Sequence, residues 1–117
     1  MRKENSTNYT NEKDLLETCG MFYTISMIGG RWKVSIIAAL LDHKSLRYSE
    51  LLKLLPSITE RMLIKQLKEL QQNGLVHRNS HNVVPPRVDY SLTSLGESLK
   101  EVLLVMHKWG KKHKNES

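Results

Sequence analysis

The 117-residue chain carries a formal charge of +6, with 39% hydrophobic and 26% charged residues. That length holds one core of ordinary volume, the composition excludes a disordered chain, and the longest apolar stretch, 34–41, falls far below the roughly 20 residues of a bilayer span. The surplus of Lys and Arg favours a polyanionic partner, nucleic acid before anionic membrane, and the single cysteine, Cys19, excludes an intrachain disulfide framework.

Residues 1–12 are polar and without periodicity, the pattern of a flexible arm. They lack the apolar segment of a secretory signal, so the protein is expected in the cytoplasm. The expected domain covers 13–113. Leu15, Leu16, Phe22, Ile25 and Ile28 recur at helical spacing until Gly29 and Gly30 stop the pattern. Trp32, Ile36 and Leu40, widened by Ile37 and Leu41, form the stripe of a second, core-packed helix ending near 42–44. Residues 45–47 suit a very short strand. Leu51, Leu52, Leu54 and Leu55 then mark a compact helix, which Pro56 stops by excluding the α conformation at Leu55. Thr59 is the expected N-cap of the next helix, with Ile58 and Leu63 placed as a hydrophobic staple. Gly74, after Asn73, supplies that helix's left-handed stop.

Beyond Gly74 the period falls to two: Val88, Tyr90 and Leu92 alternate with Arg87, Asp89, Ser91 and Thr93, which predicts a strand. Its expected partner is 75–78, and 79–86 reads as a long hairpin tip because its Asn, His and Pro pair do not suit a ladder. Thr93 or Ser94 caps a last helix over 94–113, with Ser94 and Glu97 fitting a capping box. The predicted order α-α-β-α-α-β-β-α is that of a winged helix-turn-helix, mostly α with a small β-hairpin.

On the helix from Thr59 to Asn73, Leu63, Leu67 and Leu70 share one narrow sector, and Arg61, Lys65 and Lys68 lie about half a turn away. A cationic face after a short interhelical turn places donors in a major groove of double-stranded DNA. Arg61, near the N-terminal end, is positioned for a base edge because Arg donates bidentately to guanine, whereas Lys65 and Lys68 suit phosphates. Gln66 leans toward the core side and can donate to a base or a phosphate. Surface helices commonly carry such charges as a solvated face. The hairpin that follows, with Arg78, His81 and Arg87, is what favours DNA. Arg87, beside Pro85 and Pro86, suits a phosphate or the narrow minor groove, or else a carboxylate partner on a solvated strand.

These residues resemble the HxlR family of bacterial winged-helix regulators, related in fold to the MarR regulators. The similarity runs from Cys19 to Trp109 and rests on Cys19, GGRW at 29–32, LPSITERML at 55–63, LKEL at 67–70, NGLV at 73–76 and PPRVDYSLTSLG at 85–96. Gly20 and Ser94 depart from it, since many members have Pro at both places. The resemblance implies homodimers on pseudo-palindromic operators, more often repressing than activating. It also implies that the helix from Thr59 reads DNA and that 83–87 is the wing tip.

Leu95, Leu99, Val102, Met106 and Trp109 are spaced 4, 3, 4, 3, a heptad seam that Leu103 broadens. Part of such a stripe packs its own domain. A helix of this length leaves Met106 and Trp109 for a second subunit, which predicts a two-fold homodimer through the first and last helices, Phe22 included. Its two reading helices are then expected roughly 34 Å apart, one duplex turn. Lys108, Lys111, Lys112 and Lys114 suit a solvated end that complements the helix dipole.

Cys19 precedes a helix, where thiols are more reactive, and several members of the resembled family are thiol sensors with a cysteine at this place. A redox sensor or a small buried hydrophobe are both open readings, with a small-molecule or redox effector accordingly allowed. No His pairs with Cys19, Asp or Glu at a catalytic spacing, and no CxxC or HExxH is present. Neither an enzyme, a cofactor, a metal nor a membrane anchor is expected. The competing function is a winged helix that serves protein interaction without DNA readout.

Overall fold

The computed structural model describes residues 18–115; the arm over 1–12 and the first apolar positions, Leu15 and Leu16, lie outside them. The chain divides into two compact units, Met1–Gly30 and Arg31–Ser117. The first contains helix α1 (Gly20–Ile28), whose N-cap is Cys19.

The second unit runs α2 (Arg31–Asp42), β1 (Leu46–Arg47), α3 (Tyr48–Leu54), α4 (Glu60–Gln72), β2 (Val76–His81), β3 (Arg87–Leu92), α5 (Ser94–Glu97) and α6 (Lys100–His113). Its core joins Ile36, Ile37 and Leu40 of α2, Leu51 and Leu55 of the α3 region, and Leu63, Leu67 and Leu70 of α4 to Leu46, Leu75, Val76, Tyr90 and Leu92. Each of the α4 leucines is worth roughly 1.5–3 kcal/mol of burial, so this face sets the orientation of the helix. The ends of α4 are fixed by local chemistry. Thr59 Oγ1 accepts from the Met62 backbone N–H at 3.1 Å, satisfying one donor of the first turn. At the other end Gly74 takes φ +75°, which lets the Leu75 N–H reach Leu70 O and the Gly74 N–H reach Gln71 O, both at 3.0 Å. This is the paired closure that a left-handed glycine permits.

The expected hairpin forms, β2 pairing antiparallel with β3, and the short strand β1 extends it into a three-stranded sheet of order β1-β3-β2, in which Leu46 and Arg47 pair with Tyr90 and Asp89. Two expectations are corrected. Strand β2 continues through Asn79, Ser80 and His81, which the sequence suggested as loop. Asn79 Nδ2 donates to Asp89 Oδ1 at 3.0 Å and to Ser91 Oγ at 3.1 Å, so side chains across the ladder hold the extra residues and the tip shrinks to 82–86. The last helix is broken. Thr93 is its cap, accepting from the Gly96 N–H at 2.9 Å, and no box forms through Ser94 and Glu97, because the third helical position is Gly96. A Cβ at Gly96 would lie 2.3 Å from Leu75 O, so this turn is pressed against the chain leaving α4. The Leu99 N–H then bonds Gly96 O at 3.1 Å, a tighter three-residue closure, before α6 begins at Lys100.

Candidate nucleic-acid interface

The short turn between α3 and α4 presents the outer side of α4. Arg61, Lys65 and Lys68 are all exposed there, with Leu63, Leu67 and Leu70 buried behind them, so the two sectors separate as the spacing predicts. Gln66 is half-buried, its Nε2 donating to Met62 Sδ at 3.3 Å, and Thr59 is committed to capping. The sequence argument overlooked Ile64, which is 49% exposed next to this cationic row. Its position, three residues after Arg61 and four before Lys68, was the available signal.

The two carboxylates of α4 each have a partner. Lys33 of α2 pairs with Glu69, and this hydrogen bond, with the charges of Lys33 and Lys65, holds the Glu69 carboxyl below its usual range. Glu60 receives the Tyr48 hydroxyl, which lies 3.3 Å from its carbonyl and 3.4 Å from Oε1. Burial, and then the Glu60 charge, raise the Tyr48 pKa, so the hydroxyl stays a donor. Glu60 keeps its charge and stays exposed at the start of α4, so the positive character of this side comes from Arg61, Lys65 and Lys68.

The sheet divides the other candidates between two faces. Arg78 stands opposite Tyr90 in register, whereas His81 stands opposite Arg87, so successive pairs alternate sides. Arg78 Nη1 donates to Ser80 Oγ at 3.1 Å. On the other face His81 Nε2 lies 2.7 Å from Asp89 Oδ2. An ionised carboxylate only accepts, so His81 Nε2 donates and is not free for an outside partner. Arg87 is exposed at the foot of the tip. The donation from Asn79, then that from His81 with the His81 and Arg87 charges, holds the Asp89 carboxyl low.

A compact helical unit with an exposed basic helix following a short turn, and a sheet extended into a basic hairpin, matches known proteins. A family model described as HxlR-like helix-turn-helix matches residues 27–117. The chain belongs to that family. It is a helix-turn-helix transcription regulator with a winged-helix fold, as the sequence resemblance implied. Among its relatives, the HTH-type transcriptional regulator YdeP of Bacillus subtilis is 45% identical over 102 residues, 87% of this chain and 79% of that protein. Among solved structures, the redox regulator HypR in its oxidized form superposes with a TM-score of 0.75 at 41% identity, covering 81% of this chain and 97% of that one. The reduced form of the regulator YodB from B. subtilis also gives 0.75, at 33% identity over 86% and 98% of the two chains.

The remaining candidates fall elsewhere. Cys19 is a half-buried free thiol at the start of α1, and Phe22 of that helix is exposed. On α6 and just before it, Leu99 is half-buried while Val102, Met106 and Trp109 are exposed. The Trp109 ring lies 4.7 Å from that of His113. Leu103 is the buried residue of α6. No single helix among the described residues is long and apolar enough to cross a membrane.

Proposed function

We propose that the protein is a repressor that binds a pseudo-palindromic operator as a homodimer, with α4 in the major groove, the β2–β3 hairpin as the wing, and Cys19 as a thiol switch. The observation that carries this reading is the exposed row Arg61, Lys65 and Lys68 on a helix whose opposite face is core and whose Glu69 is ion-paired with Lys33. Arg61 reads a base, while Lys65, Lys68, Arg78 and Arg87 meet phosphates, and Gln66, Thr59 and His81 support the contact surface. Ile64 adds an apolar group of the kind that meets a thymine methyl. The exposed run Val102, Met106 and Trp109 supports a second copy of the chain as partner. That HypR and YodB are redox and transcriptional regulators supports the thiol response.

The test is a gel shift on the DNA upstream of the protein's own gene. Arg61→Ala is expected to reduce discrimination between operator and scrambled DNA by about 1–3 kcal/mol, and Lys68→Ala to weaken both equally. Affinity is expected to fall steeply with salt; a protein-interaction module would show no such fall. Diamide is expected to release the wild type and not Cys19→Ser. If neither α4 variant alters binding, α4 is not the reading helix.

A further inference from the structure

Arg47 lies outside the basic residues assigned above, yet the sheet brings it to the wing. It pairs with Asp89 across β1 and β3, and Arg87 is two residues from Asp89 along β3. Residues paired across strands share a face, as do residues two apart. Arg47 and Arg87 are therefore diagonal neighbours on one face, with Cα atoms about 7–8 Å apart. Both are exposed.

Neither guanidinium is ion-paired: the ion pairs among the described residues are Lys33 with Glu69 and His81 with Asp89. The carboxylates closest in the chain are already engaged. Asp89 accepts from Asn79 and His81, and Glu50 Oε1 accepts from the Arg47 backbone N–H at 2.7 Å. Between the two arginines lies an open cavity of about 390 Å³, walled by Val83, Val84, Pro85 and Pro86 and containing no acidic side chain. Val84 is 99% exposed. Two unpaired guanidinium forks beside an apolar wall suit a phosphodiester, whose oxygens take bidentate donors and whose sugar presents hydrocarbon.

The position fits the same chemistry. Arg47 is the N-cap of α3, the helix that crosses the backbone in a helix-turn-helix docking. The next residue, Tyr48, reaches Glu60 at the start of α4. Arg47 is thus tied to the wing on one side and to the reading helix on the other.

We propose that Arg47 and Arg87 clamp a single DNA phosphate, the one between the groove entered by α4 and the groove met by the wing. The proposal rests on the DNA-binding reading and adds to it a shared contact. Fluorescence anisotropy of the full-length protein on a labelled random-sequence duplex and on its own upstream duplex, over a salt series, tests it.

Arg47→Ala and Arg87→Ala are each expected to lose roughly 10-fold in affinity on both duplexes. The double variant is expected to lose much less than the product of the two, because both side chains serve one phosphate. Its salt slope is expected to fall by about one, so that the wild type's advantage shrinks about threefold between about 50 and 200 mM salt. Arg47→Lys keeps the charge without the fork and is expected to fall between wild type and Arg47→Ala. Lys114→Ala, at the C-terminal end of α6, controls for net charge, and matching thermal midpoints establish that the variants are folded.

Losses that multiply make the arginines independent contacts and overturn the clamp. So does wild-type affinity in Arg47→Ala, or a loss confined to the upstream duplex. A wild type whose binding to both duplexes ignores salt would instead remove the DNA-binding reading itself.

Discussion

Helices α4 and α6 are both amphipathic, but their apolar sides end in different surroundings. Leu63, Leu67 and Leu70 of α4 are buried, Leu67 to 2% exposure, whereas on α6 only Leu103 is buried and Trp109 stays 68% exposed. Helical periodicity reports that a face is apolar, and the fold decides what meets it. Helix α4 packs against α2 and β2, while α6 packs against α2. The lesson is that equal sequence patterns carry unequal energetic weight.

The sharpest way to break this contrast is Leu67→Ala. A cavity in the centre of the α4 face is expected to cost about 2–5 kcal/mol, read as a lower urea midpoint; a loss below about 1 kcal/mol would mean that the face is not core. Trp109→Ala is the counterpart. Extrapolated to low protein concentration, its stability is expected to stay within about 0.5 kcal/mol of wild type. The rise of the midpoint with protein concentration that a homodimer shows is expected to vanish. A Trp109→Ala protein destabilised as much as Leu67→Ala at every concentration would make the α6 face intramolecular.

The hairpin beyond Tyr90 offers a third case, held by polar groups, with the smallest expected effect. Because the folded Asp89 carboxyl sits below its usual range, its stabilisation is complete above about pH 4, the ordinary carboxylate value, and fades as pH falls through the lower folded value. The protection of the Asn79 and Ser80 amides, measured against the intrinsic exchange rate at each pH, is expected to fall along that acid limb in the wild type and to stay flat across it in Asp89→Asn. An acid limb that persists in Asp89→Asn would assign the effect to another group.

Features set by neighbours in sequence were legible. Thr59 as a cap, Pro56 as a stop, Gly74 as a left-handed closure and the two sectors of α4 each follow from a few adjacent residues. Features set across the fold were not. Strand β2 reaches His81 because Asp89, on the returning strand, accepts from it. The last helix breaks because Gly96 meets the backbone of Leu75, and no local pattern announces that approach. Arg47 read as the end of a two-residue strand, and its place beside Arg87 depends on β1 pairing with β3. The basic helix could therefore be found from one segment, but the face shared by Arg47 and Arg87 needed two.

Thr93 joins two turns through three hydrogen bonds. Its hydroxyl donates to Gly74 O at 2.6 Å and accepts from the Gly96 N–H at 2.9 Å, and its own N–H donates to Leu75 O at 3.0 Å. One residue thus rivets the turn where α4 stops to the turn from which the last helices start. A twist applied at α5 has to carry Gly74 along or shear those bonds, so the joint works as a crank pin, coupling the two helices at their ends without any slack from the hydrophobic interior.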